Sequence, residues 1–188
     1  MNSFKKVAEK LIKSNTPSIR WKVLVNVFDE DPESKSIKKI CQEIKNSEIV
    51  RLLLQNQTPS GRIKSKSSIY DKWQGAHWIL ATLSDIGYPA EDVSLGAAKN
   101  DVLNTWLKPK FYKEFIAEDK KDVYKEDGVP VMKGRYRRCA SQQGYALYYL
   151  IKLGLYDEKL HDLAERLMHW QWPDGGWNCD KNPKASKS

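Results

Sequence analysis

With 188 residues, 40% hydrophobic and 11% aromatic, the chain can bury one core and is too apolar to be disordered, so a single domain over 1–188 is the starting expectation. Lysine and arginine exceed aspartate and glutamate by 32 to 24, a formal charge of +8, but the cations are spread at helix spacing, which reads as a solvated surface with no nucleic-acid role. Three widely spaced cysteines exclude a disulfide framework, no secretion signal is visible, and the longest apolar run, Tyr145 to Ile151, is too short for a transmembrane segment; the expectation is a cytoplasmic protein.

In chain order, Phe4, Val7, Ala8, Leu11 and Ile12 fall on one helical stripe opposite Lys5, Lys6, Lys10 and Lys13. This helix is expected to dock onto the core, with membrane-surface contact as its other use. Thr16-Pro17 reads as a cap and first helical residue; Trp21, Val23, Val25 and Val27 alternate as in a strand, but Ile19, Val23, Leu24, Val27 and Phe28 also fit a helix, the assignment adopted here. Ile37, Ile40, Cys41 and Ile44 mark the next one-sided helix.

The segment 73–86 is apolar nearly all the way round, through Ala76, Trp78, Ile79, Leu80, Ala81 and Leu83, which predicts an enclosed helix. A one-sided helix follows near 99–107, with Val102, Leu103, Trp106 and Leu107. The order then recurs: 142–153 is predicted enclosed, and 159–170 one-sided through Leu160, Leu163, Ala164, Leu167 and Met168. Both enclosed helices open on Gln-Gly, at Gln74-Gly75 and Gln143-Gly144. Between the pairs, 108–138 is charged and broken by Pro109, Gly128, Pro130 and Gly134, and reads as a long loop excursion. Inner then outer, twice, predicts an all-α fold: a toroid-like, partial array of α/α hairpins in inner and outer layers.

The string Gln171-Trp172-Pro173-Asp174-Gly175-Gly176-Trp177 stops a helix, turns, and closes on a large aromatic ring. A weaker copy, Gln57-Thr58-Pro59-Ser60-Gly61-Arg62-Ile63, keeps the Gln, Pro, first Gly and final apolar residue at the same offsets. Gln57, Gly61, Gln171, Gly175 and Trp177 are therefore predicted to form a structural repeat motif.

These residues resemble the Gln-Trp repeat of the terpenoid cyclase and protein prenyltransferase superfamily. The strings DKWQGAHWILATLSDIGYP, RYRRCASQQG and WQWPDGGWNCDKNP, and most of the chain from about Pro17 to Ser188, are similar to bacterial and archaeal proteins of unassigned function with the prenyltransferase and squalene-oxidase type repeat. The resemblance implies an α/α toroid whose central cavity binds a hydrophobic, isoprenoid-type ligand, with Trp73, Trp78, Tyr145, Tyr148 and Tyr149 as lining candidates. The superfamily's acid string Asp-x-Asp-Asp and its zinc-binding Asp-x-Cys pair are both missing, the latter replaced by Cys179-Asp180, so neither catalytic set transfers intact. Enzyme and noncatalytic repeat scaffold for protein–protein interaction stay open as alternatives. The chain offers roughly four helix pairs, fewer than a closed toroid needs, so an open arc that associates with itself or with a partner subunit is expected.

His77, Cys139, Cys179 and Asp180 make a ligand mix that zinc accepts, and are the candidates for both metal and catalytic roles, although their spacing is not a compact zinc motif. Arg138, in the cluster Arg135, Arg137 and Arg138 just before a predicted helix, is the candidate for binding a ligand's phosphate or pyrophosphate.

Overall fold

The computed structural model describes residues 2–188, with side chains from Phe4 onward. Among these residues lie eight α-helices: α1 (Asn2–Ile12), α2 (Pro17–Asn26), α3 (Lys35–Lys45), α4 (Glu48–Leu53), α5 (Ala76–Ile86), α6 (Gly96–Trp106), α7 (Ser141–Lys152) and α8 (Glu158–His169). Three strands, β1 (Glu114–Ile116), β2 (Val129–Met132) and β3 (Arg135–Tyr136), form one mixed sheet in that order. The chain divides into two compact units, one of residues up to Lys99 with Tyr149–Leu155, the other of Asn100–Tyr148 with Tyr156–Ser188.

In the first unit α2 packs against α1, α3 and α5. Thr16 caps α2 and Pro17 opens it, where a missing N–H costs nothing, so the helix reading of this ambiguous segment holds. Ser34 caps α3 by accepting from the Ile37 N–H at 3.3 Å. Trp21, Ile37, Ile44, Leu80 and Leu83 are buried, and α5 is enclosed as its all-round apolar sequence predicts. The stripe of α1 behaves differently: Ala8 is buried, but Phe4, Val7 and Leu11 face solvent, so the expected docking of this stripe is only partial.

In the second unit β1 runs parallel to β2, pairing Glu114 with Val129, Phe115 with Pro130 and Ile116 with Val131. β3 returns antiparallel, pairing Val131 with Tyr136 and Met132 with Arg135. Ala117, Val123 and Met132 bury together with Phe115 packed on them, a small core under the sheet. Asp157 caps α8, accepting from the Leu160 N–H at 3.1 Å, and Leu160, Leu163 and Leu167 of its stripe are buried.

Two expectations are corrected. The fold is not all-α, because the 108–138 excursion holds the three strands and buries apolar side chains beneath them, and no toroid is evident among the described residues. The enclosure expected of 142–153 is also incomplete: Tyr148 and Ile151 of α7 are 48% and 58% exposed, so this helix keeps one wet edge.

Candidate functional site

The candidate site lies in the second unit, where the first turns of α7 face α8 and the loop after α8 folds back. Gly144 and Leu147 from α7, Ala164, Leu167 and Met168 from α8, and Trp177 from the loop line an open, apolar cleft of about 540 Å³, with Cys139, Ala140 and Ser141 at one end. Gly144 and Ala164, one without a side chain and the other with a single methyl, leave the groove open. A Cβ at Gly144 would meet nothing within 4 Å.

The repeat loop builds one wall. Gln171 donates its side-chain amide to the Gly175 carbonyl at 2.5 Å, while the backbone N–H groups of Trp172 and Gly175 close the turn on Gly176 and Trp172, both at 2.9 Å. Trp177 then donates its indole N–H to the Leu167 carbonyl at 2.7 Å, satisfying an acceptor in the last turn of α8 and holding the ring over the groove. Trp172 is the buried anchor that the sequence motif did not single out: it is 3% exposed, donates to the Tyr136 carbonyl at 2.8 Å, and carries the Arg137 guanidinium 4.6 Å from its ring centre. In the first unit the weaker copy adopts the same geometry, with Gln57 donating to the Gly61 carbonyl at 3.3 Å and to Ser94 at 2.9 Å, and Ile63 buried.

At the end of the cleft Arg137 and Asn178 form a parallel bridge, which places Cys139 and Cys179 on neighbouring segments. The Ser141 hydroxyl lies 3.0 Å from the Cys139 sulfur, and the two thiols are near enough for each to affect the other's ionisation. Burial pushes the Cys139 thiol up, but the Ser141 hydrogen bonds, the neighbouring Cys179 thiol and the Arg138 charge outweigh it, and its pKa falls below the ordinary value. The Cys179 thiol is raised, by burial first and then by the negative charge of its neighbour.

The other sequence candidates are placed as follows. Asp180 follows Cys179 and accepts from the Asn182 N–H at 2.9 Å, organising the local turn. His77 belongs to the first unit, fully buried in α5, with its Nδ1 3.1 Å from the Tyr149 hydroxyl. Burial pulls the His77 pKa down to about 4, so the ring is neutral at physiological pH. Among the described residues no three His, Cys, Asp or Glu side chains gather as a metal site.

Of the lining candidates, Trp73 is 66% exposed and packs edge-on to Trp78 at 4.5 Å, while Trp78 donates to the Tyr70 carbonyl at 3.1 Å. Tyr145 and Tyr148 stack in parallel at 6.0 Å. None of these four, nor Tyr149 or Arg138, lines the apolar cleft. Arg138 lies 4.8 Å from the Phe111 ring centre, and Arg137 donates to the Ala185 carbonyl at 3.1 Å over Trp172, so both guanidinium groups are engaged by aromatic rings.

Sequence reasoning missed Gly144 and the groove face of α8, although Ala164, Leu167 and Met168 were legible as part of an apolar stripe; Met168 stays 62% exposed on it. It also missed a polar cluster in which His169 Nε2 lies 2.8 Å from Glu114 Oε1 and 2.9 Å from the Tyr136 hydroxyl, linking β1, β3 and α8. No spacing rule joins residues so far apart in sequence. Compared with protein-family descriptions, with curated proteins and with solved structures, the chain matches none.

Proposed function

We propose that the second unit binds an elongated hydrophobic molecule of the isoprenoid type in the groove between α7 and α8, with Trp177 as one wall. The observation that carries this reading is the lining itself: an apolar cleft of about 540 Å³ left open by Gly144 and Ala164. That volume lies within the roughly 300–1,000 Å³ of small-molecule sites, and such sites combine an apolar wall with a few polar groups at one end, here Cys139 and Ser141. The resemblance of the Gln171 to Trp177 loop to the terpenoid cyclase and prenyltransferase repeat supports an isoprenoid over other apolar chains. Binding, without a defined reaction, is the activity these residues support. Native mass spectrometry of protein purified from its own host tests it: a bound isoprenoid-type lipid is expected, and protein that carries no such adduct, and takes up no farnesol when it is added, contradicts it.

A second reading, a noncatalytic scaffold, draws on the exposed Phe4, Val7 and Leu11 of α1. Val7→Asp separates the two: loss of a co-purifying protein partner with farnesol uptake unchanged favours the scaffold, and unchanged co-purification removes its support.

A further inference from the structure

We propose that Cys139 and Cys179 are a thiol–disulfide exchange pair that reacts with small-molecule disulfides and closes into an intramolecular disulfide. The inference stands apart from the ligand proposed above. Three observations converge on it. The Arg137–Asn178 bridge fixes the two segments side by side, one residue before Cys179 and two before Cys139. Both thiols are exposed to solvent, where a reagent can approach, and the Ser141 hydroxyl lies 3.0 Å from the Cys139 sulfur, in place to support its thiolate. Cys41, the remaining cysteine, is in the first unit, half-buried, and burial pushes its thiol up, so it serves as an internal comparison.

The chemistry divides between the two sulfurs. Cys139, flanked by the Ser141 hydroxyl and the Arg138 charge, is the attacking thiolate. It displaces one thiolate from a small-molecule disulfide such as oxidised glutathione, giving a mixed disulfide on Cys139, and the released thiolate takes up the proton Cys139 lost. Cys179 then attacks the Cys139 sulfur, gives up its own proton, and expels the second thiol. The balance is one small disulfide reduced to two thiols and one protein dithiol oxidised to a disulfide. The product ties the segment between β3 and α7 to the segment after Trp177, at the end of the apolar cleft.

The test treats the full-length protein with oxidised glutathione, alkylates the remaining thiols, and maps the peptides by mass spectrometry. The expected result is a protein lighter by two hydrogens, a Cys139–Cys179 crosslinked peptide, Cys41 alkylated, and full reversal by dithiothreitol. Cys139→Ser should abolish the reaction and Cys179→Ser should halt it at glutathione on Cys139. In the reduced wild type, Cys139 should be alkylated at least about tenfold faster than Cys41. A wild-type protein that keeps glutathione on Cys139, forms crosslinks through Cys41, or does not react at all overturns the proposal.

Discussion

Gly61 and Gly175 adopt the same left-handed backbone, with φ of 83° and 87°, and each carbonyl accepts the side-chain amide of a glutamine four residues earlier. The two loops thus share a local geometry although their sequences match at few positions. They differ in what surrounds them. A Cβ at Gly61 would sit 2.6 Å from the Ser94 carbonyl oxygen, whereas one at Gly175 meets nothing within 4 Å. Gly175→Ala should therefore cost only the left-handed strain, about 1–2 kcal/mol, and Gly61→Ala should cost more because backbone must shift as well. Urea unfolding of the two variants checks the order, and equal losses contradict this account of the loops.

Trp177 joins the loop to α8 by one hydrogen bond and one apolar face. Trp177→Phe keeps most of the face and leaves the Leu167 carbonyl unpaired, so it should lower stability by about 0.5–1.5 kcal/mol. Trp177→Ala removes both and should lower it further while opening the cleft. Thermal unfolding of both variants gives the comparison; a Phe variant as damaging as the Ala variant would mean that the ring does not pack.

Asp92 is the polar node of the first unit. Its carboxylate accepts from the Tyr88 hydroxyl at 2.6 Å, the Ser94 N–H at 2.9 Å and the Lys45 ammonium at 2.8 Å. Burial pushes the carboxyl up, but the hydrogen bonds from Lys45, Tyr88 and Ser94 outweigh it and hold its pKa well below the usual range. Asp92→Asn leaves these donors without their charged acceptor and should destabilise the fold by about 1.5–3 kcal/mol in denaturant unfolding. Arg51→Ala, at the exposed pair with Glu48, should change little by comparison.

The buried His77 gives stability a pH dependence of definite sign. Its pKa falls from 6.5 to about 4 on folding, because burial disfavours the charged ring. Between these values the unfolded chain binds the proton and the folded one does not. The contribution of neutral His77 is therefore complete above about pH 6.5 and is lost as the pH falls towards 4, by at most roughly 1.4 kcal/mol per pH unit. Subtracting the pH profile of His77→Asn from that of the wild type isolates this slope; a difference independent of pH in that window rules it out.

What the sequence made legible follows from length and period. The helices α5, α7 and α8 carry enough turns for a 3.6-residue pattern to show, and Thr16-Pro17 marks the start of α2, where proline's missing N–H costs nothing. The sheet did not show, because strands of three, four and two residues are too short for alternation to register; only Lys133-Gly134 between β2 and β3 marks a hairpin turn. Of the site, the loop from Gln171 to Trp177 and both cysteines were visible, while the groove was not. A groove is defined by the side chains that are absent, and in the sequence Gly144 reads only as half of the Gln-Gly pair that opens a helix.

Gly144 therefore gives the most direct test of the cleft as a binding site. Leucine there fills open space and exchanges a poor helix former for a good one, so the variant should be as stable as the wild type or more stable by up to about 1 kcal/mol. Calorimetric titration with farnesol, run on wild type and Gly144→Leu side by side, should show saturable binding to the first and none to the second. Equal binding to both, with the variant folded, would contradict the assignment of the ligand to the groove between α7 and α8.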